Sequence, residues 1–278
     1  MILIADSGST KTHWSVVDKS GVVKQTFSKG INPFYQTEEE IKADLADNLL
    51  PALVDLDVKQ IFFYGAGCAF PDKKLMVKNA LLSILPHAVA EIESDLLGAA
   101  RALFLLNKGV ACIMGTGSNS CFYNGEAIVD NVSPLGFILG DEGSGAVLGK
   151  HFVSNCLKNQ VPPELKEKFM TQYALSPAII LDKVYKQAFP NRYLAQFSPF
   201  LLENIEEPSV FNLVYDCFES FFVRNVMQYD LEDVEVGFVG SIAYHFADTL
   251  EIVASELGIA IFAIVQSPMD GLVEYHKI

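Results

Sequence analysis

A glycine-rich turn occurs twice in this chain, each time after a short apolar strand and before a hairpin. The first is Asp6-Ser7-Gly8-Ser9-Thr10-Lys11-Thr12, following Ile2-Leu3-Ile4-Ala5. The second is Gly115-Thr116-Gly117-Ser118-Asn119-Ser120, following Val110-Ala111-Cys112-Ile113-Met114. Small residues let a backbone approach a ligand closely, and successive amide hydrogens in such turns form a cavity suited to phosphate. One such turn opens each half of the chain. The doubling constrains the fold to two related α/β halves and points to a nucleoside triphosphate, hence to phosphoryl transfer.

Composition narrows the partners. With 278 residues, half of them hydrophobic, the chain holds one large domain or two medium ones with full cores. A formal net charge of −14 argues against a nucleic-acid backbone as partner, which demands a basic face. It also means that a polyanionic nucleotide needs a divalent cation and local amide donors to offset repulsion. No membrane span is expected: Gly258–Val265 is too short, and the apolar run Phe218–Met227 is interrupted by Glu219 and Arg224. No basic-then-apolar leader precedes the first strand, so no secretory signal is expected. The five cysteines (Cys68, Cys112, Cys121, Cys156, Cys217) are scattered and form no CxxC, which reads as small core residues in a cytoplasmic protein.

Strands are predicted at Ile2–Ala5, His13–Asp18 and Val22–Phe27, with Lys19-Ser20-Gly21 as the tight turn. Thr37 and Glu40 make a capping box, opening a helix with Ile41, Leu45 and Leu49 on one face. A strand at Gln60–Tyr64 ends in Gly65-Ala66-Gly67, and a helix runs from about Asp72 to Leu85. A strand at Val89–Glu93 then leads through Ser94-Asp95 into a helix over Leu96–Leu106. The pattern restarts with Val110–Met114, Asn119–Tyr123 and Glu126–Val129, where Asn124-Gly125 is a hairpin turn signal. A helical region interrupted at Pro162-Pro163, Pro177, Pro190 and Pro199 fills roughly 142–225. It is followed by a strand at Glu235–Val239, a helix to about Leu257 and a strand at Ile259–Val265. The boundary near Asn107-Lys108-Gly109 gives domains 1–107 and 108–278.

These units, in this order, resemble the sugar kinase, heat-shock-70 and actin superfamily. Within it the chain is similar to the BadF/BadG-type ATPase family, and most to its N-acetylglucosamine kinase branch. Residues 6–12 stand where that family has D-G-G-G-T-K-T, with Ser7 and Ser9 in place of glycines. Gly115-Thr116-Gly117-Ser118-Asn119 matches its second phosphate motif, Gly140-Asp141-Glu142-Gly143-Ser144 a segment of these kinases, and Gly237-Phe238-Val239-Gly240-Ser241 the adenosine motif. Leu135 stands where the compared amino-sugar kinases carry an aromatic residue, and Ser267-Pro268-Met269-Asp270-Gly271 only loosely matches P-x-x-G-A. The resemblance implies two ribonuclease-H-like, actin-like ATPase domains, each a mixed β-sheet flanked by helices, with an ATP cleft between them.

Phosphoryl transfer to an alcohol needs a held γ-phosphate, a cation and a base near the attacking hydroxyl. Asp6, at the end of the first strand, suits Mg²⁺ held directly or through water; an Asp that merely stabilises its own turn is the plainer alternative. Ser7, Gly8, Ser9, Thr10 and Lys11 would face the ATP phosphates, with Gly115, Thr116 and Gly117 on the other side and Gly240 and Ser241 at the adenosine. Asp95 or Ser94 makes a good helix N-cap, and capping alone would explain the carboxylate. The resemblance instead places the catalytic base at Asp95. It also implies Asn32, Asp95, Ser118, Asn119, Gly136 and Asp141 as ligands of an amino sugar, although Asp141 and Glu142 equally suit the positive end of a helix.

The resulting expectation is an ATP-dependent kinase acting on the 6-hydroxyl of N-acetylglucosamine, with glucosamine as the near alternative. A second class within the family is the ATP-driven redox activator, whose iron–sulfur cluster is shared between subunits by cysteines; Cys121 and Cys156 invite that reading, without the flanking cysteine-glycine motif. A non-catalytic sensor is a third, for which no helix-turn-helix precedes the first strand. The apolar helices around Phe211–Phe222 suit either a homodimer or a buried core.

Overall fold

The computed structural model describes residues 1–8 and 10–277. Strand β1 (Ile2–Ser7) buries Leu3, Ile4 and Ala5, as a strand covered on both faces must. It lies at the centre of a sheet with β2 (Lys11–Asp18), β3 (Gly21–Lys29), β4 (Gln60–Gly65) and β5 (Val89–Ser94), in the order β3-β2-β1-β4-β5. The β1-β2-β3 meander is antiparallel, whereas β1, β4 and β5 run parallel. Their register aligns Ser7 with Gly65 and Gly65 with Ser94. Three strands therefore finish at one sheet edge, the edge at which open α/β sheets bind ligands.

The predicted capping box starts α1 (Glu38–Asp44): Glu40 N donates to Thr37 Oγ1 at 3.2 Å, and Thr37 N donates to the Glu40 carboxylate at 2.8 Å. The helix then widens to a π turn at Leu45–Leu49 and tightens to a 3-10 turn at Leu50–Leu53, where Pro51 has no N–H to continue the ladder. Ile41, Leu45 and Leu49 are buried as their spacing predicts. With α2 (Pro71–Ile84) they cover one sheet face over Leu3, Ala5, Trp14, Ile61 and Phe63. Helix α3 (Asp95–Phe104) follows β5 directly.

A second five-stranded sheet joins β6 (Gly109–Met114), β7 (Ser118–Tyr123), β8 (Ile128–Asp130), β9 (Glu235–Val239) and β10 (Ile261–Val265) in the order β10-β9-β6-β7-β8. Each strand thus takes the place of its counterpart five earlier, so the two halves repeat one topology. The fold is α/β, with mixed sheets flanked by helices, as the resemblance implied. The helices of the second half are α4 (Gly136–Leu139), α5 (Gly145–Leu157), α6 (Pro163–Gln172), α7 (Pro177–Tyr185), α8 (Pro190–Ala195), α9 (Ser198–Glu203), α10 (Pro208–Arg224), α11 (Ser241–His245) and α12 (Ala247–Glu256). From α6 to α10 each carries a proline in its first turn, where a missing N–H costs nothing. The interruptions in the sequence are therefore helix starts.

Phe152, Phe169, Phe197 and Phe200 pack ring against ring at the heart of this half, and Phe218, Phe221 and Phe222 of α10 are buried with them. Those three rings belong to the core.

The last helix, α13 (Met269–Tyr275), was not read in the sequence. Its Met269, Leu272 and Val273 cover Ile4, Val17 and Tyr64 on the other face of the first sheet. Contacts accordingly divide the chain into one unit of Met1–Gly109, 123–129 and the stretch from Ser267, and another of Val110–Phe122 and Asp130–Gln266. A single cut at 107/108 leaves out these returns. Among the described residues, no helix is long and apolar enough to cross a membrane.

Candidate active site

In the first unit the turn after β1 is closed by its own backbone: Gly8 N donates to Lys11 O at 3.1 Å, and Gly30 N to Thr10 O at 3.0 Å. The Ser7 hydroxyl points inward, 2.7 Å from Thr12 Oγ1, and accepts from Ile31 N at 3.0 Å. A serine in the place of glycine here ties the turn to the segment carrying Asn32. Lys11 holds its ammonium 4.5 Å over the Phe27 ring. Ser9 lies outside the described residues.

Asp95 is the first residue of α3, but it does not cap the helix. Ser94 does: Leu97 N donates to Ser94 Oγ at 3.2 Å, while Asp95 Oδ1 accepts only from its neighbour Leu96 N, at 3.0 Å. The capping explanation for Asp95 falls away. Burial raises the Asp95 carboxyl to about 6, against bonds from the Leu96 and Asp95 amides that lower it. Asp6 is raised further, to about 7, by burial and then by the Asp95 charge, with Lys11 pulling the other way. Two carboxyls at the ends of β1 and β5 thus repel each other in a partly dry setting, an arrangement that a divalent cation relieves. Asn32 is buried; its Oδ1 accepts from Phe34 N at 3.0 Å, and its backbone N donates to Gln36 Oε1 at 2.7 Å.

In the second unit the corresponding turn is gripped by a helix. Gly115 N donates to Gly117 O at 2.9 Å, while the first amides of α5 donate back to the turn, Gly145 N to Gly115 O at 2.8 Å and Ala146 N to Thr116 O at 3.1 Å. Asp141 sits beside Gly117 with a left-handed φ of 50°, a conformation that Asp, like Asn, adopts more readily than other side chains. Pro134 O accepts its amide at 2.9 Å, and the Ser118 amide bonds to its carboxylate. Burial nevertheless raises Asp141 to about 6. The Ser118 hydroxyl is already committed to Glu142 O at 2.7 Å.

Glu142 turns away from the turn. Its carboxylate pairs with Arg224 Nε at 2.9 Å and accepts from Asn225 Nδ2 at 3.3 Å, anchoring the Asp141 loop to the end of α10. Sequence reading missed both partners, and a separation of 83 positions leaves no local signal for them. Gly136 begins α4 in the loop that folds back on Asp141, with Gly140 N donating to Gly136 O at 2.8 Å. Asn119 Oδ1 accepts from Asn131 Nδ2 at 3.0 Å. At the end of β9, Gly240 has φ +127°, and a Cβ there would collide with the Met114 carbonyl; only glycine lets β9 end against β6 at this point. Ser241 follows, exposed, at the start of α11.

The first unit therefore gathers Asp6, Asp95 and, through Ser7 and Ile31, Asn32. The second gathers Gly115–Gly117, Ser118 and Asp141, with Gly240 beside Met114. Among the described residues, no group of three or more His, Cys, Asp or Glu side chains could hold a metal by itself. A cation at Asp6 would draw its remaining ligands from the bound phosphates and water, as Mg²⁺ commonly does. All five cysteines are buried, Cys121 and Cys156 completely, which counts against a cluster shared across a subunit surface.

No protein-family model matches the chain, and no curated protein matches it. Among solved structures, the chain is similar to a candidate N-acetylglucosamine kinase from Porphyromonas gingivalis at 47% identity and a TM-score of 0.97, over 100% of this chain and 99% of the other. A candidate N-acetylglucosamine kinase from Chromobacterium violaceum shares the fold at 14% identity and a TM-score of 0.66, over 99% and 98% of the two chains. So does a ROK family glucokinase from Streptomyces griseus, in complex with glucose and AMPPNP, at 14% identity and a TM-score of 0.59, over 98% and 97%. With nearly half of its residues identical over the full length of the first of these, the chain belongs to the N-acetylglucosamine kinase branch of the BadF/BadG-type ATPase family, within the sugar kinase, heat-shock-70 and actin superfamily.

Proposed function

We propose that this chain is an ATP-dependent kinase that transfers the γ-phosphate to the 6-hydroxyl of an amino sugar, N-acetylglucosamine before glucosamine. The observation that carries the reading is Asp95: a half-buried carboxylate relieved of capping by Ser94, at the sheet edge where β1, β4 and β5 end, beside the half-buried carboxylate of Asp6. In this reading Asp95 accepts the proton of the sugar hydroxyl as its oxygen bonds to the γ-phosphorus and ADP leaves with the electrons of the broken P–O bond.

Asp6 fits a Mg²⁺ site, because its half-buried, like-charged surroundings favour a positive partner. The ion, when bound, supplies charge neutralisation on the phosphates. Ser7, Gly8, Thr10 and Lys11, with Gly115, Thr116 and Gly117, are assigned to the phosphates, and Gly240 and Ser241 to the adenosine; the Gly8 and Gly115 amides are bonded inside their own turns, so these two glycines give close approach rather than a donor. Ser9 is assigned with the first set from sequence alone. Asn32, Asn119, Gly136 and Asp141 are assigned to the sugar. Ser118 acts there through its amide, which holds the Asp141 carboxylate. The test is sugar-dependent ADP release with Mg²⁺-ATP, using N-acetylglucosamine, glucosamine, N-acetylmannosamine, glucose and a no-sugar control. Strong stimulation by N-acetylglucosamine is expected. Stimulation by glucosamine alone moves the assignment to that sugar, and none by any sugar contradicts it.

A further inference from the structure

Two phenylalanines lie exposed beside Asn32. Phe34 is 53% and Phe70 56% accessible, both in short turns, and large apolar side chains left bare together mark a contact surface. Their ring centroids are 6.0 Å apart at 83°, so they form a corner rather than a flat plate. The Lys73 ammonium stands 5.1 Å over the Phe34 ring.

The backbone fixes this corner to the candidate site. Asn32 Oδ1, accepting from Phe34 N, sets the turn that presents Phe34. The loop after β4 completes it. Gly65 pairs with Ser94, next to Asp95; Ala66 N donates to Ser7 O at 2.9 Å; and Phe70 closes the loop as the residue before α2. Between them Gly67, at φ +80°, passes so close that a Cβ would fall 2.6 Å from Asn32 Oδ1 and 2.9 Å from Phe34 Cδ2. One loop of six residues therefore touches the phosphate turn, the base strand, the sugar asparagine and both rings.

We infer that Phe34 and Phe70 form the subsite for the N-acyl group of the acceptor sugar and so set the preference for an acylated over a free amine. A perpendicular pair with one ring covered by an ammonium holds a compact apolar group such as an acyl methyl, whereas the face of a pyranose needs a broad open ring. A protonated sugar amine would also meet Lys73. This inference rests on the amino-sugar kinase reading.

The test compares KM for N-acetylglucosamine and glucosamine in Phe34→Ala, Phe70→Ala and the unsubstituted chain. The exposed positions allow folding, checked by Tm and by KM for ATP. Expected is a five- to tenfold rise in KM for N-acetylglucosamine, with the ratio of kcat/KM between the two sugars falling by a similar factor. Equal losses for both sugars, or no loss, would overturn the subsite while leaving the kinase reading in place. Absence of sugar-dependent turnover in the unsubstituted chain would instead overturn the kinase reading and the subsite with it.

Discussion

The two units repeat one strand order and yet prepare their glycine turns in opposite ways. In the first, Asp6 heads the turn and Asp95 stands at the end of β5, so the sheet edge carries negative charge that burial makes costly. In the second, buried Met114 stands directly before Gly115, and the turn is stiffened by amides of α5 bonded to its carbonyls. Its one carboxylate, Asp141, comes from a separate loop held by Ser118, Pro134 and the Glu142–Arg224 pair. Duplication of a topology thus does not duplicate its chemistry. The charged edge suits a cation and a proton transfer, and the neutral one suits phosphate binding with a sugar acceptor alongside.

That division predicts which kinetic constant each unit controls. Asp95→Ala should lower kcat by about 10²–10⁴, the span of a lost general base, with KM for ATP changed less than twofold. Retained turnover would remove the distinction between the edges. Asp141→Asn should act on the sugar instead, raising its KM by roughly 10- to 100-fold, the worth of a charged hydrogen bond, with a smaller effect on kcat. The same residue gives a pH signature. Because Asp141 is raised to about 6, it takes up a proton as pH falls through that value and loses the negative charge that strengthens the hydrogen bonds it accepts; KM for the sugar should climb there, and stay flat in the Asn variant.

Gly240→Ala should cost on the order of 2 kcal/mol of stability, from a left-handed φ and a collision with the Met114 carbonyl, read as a drop in Tm. The smallest effect lies at the back of the first unit, where α13 is latched to the helix bearing Asp95. Arg101 Nη1 donates to Tyr64 Oη at 2.8 Å, so the Tyr64 proton is directed to His276 Nε2, 2.9 Å away, which must be neutral to accept it. Burial, and then the Arg101 charge, push His276 down to about 4. The unfolded chain therefore binds the extra proton first: this stability is complete above about 6.5 and drains as pH falls toward 4. Thermal melts should show that acid loss on the order of 1 kcal/mol, after allowing for solvent screening, and His276→Gln should flatten it.

Much of this was legible in the sequence because it is local. The two turns, the Thr37–Glu40 capping box, the Asn124-Gly125 hairpin and the strand at Glu235–Val239 depend on residues within a few positions of one another, and they stand where they were read. What stayed hidden is relational. The choice of Ser94 over Asp95 as cap turns on which oxygen faces Leu97 N, and the inward hydroxyl of Ser7 on a partner at Ile31. Glu142 reads as a helix-start acid, yet its partners are at the far end of α10. Helix α13 is seven residues with a glycine inside, a poor helix by propensity, and it forms because Gly271 lets it lie directly on the Ala102 backbone of α3.

The product itself is the most direct test of sugar phosphorylation. Phosphorus NMR of the chain incubated with Mg²⁺-ATP and N-acetylglucosamine should show ADP and a single phosphomonoester coupled to the C6 protons of the sugar, absent with Asp95→Ala. Inorganic phosphate and ADP without a sugar ester, or an ester at another carbon, would contradict transfer to the 6-hydroxyl.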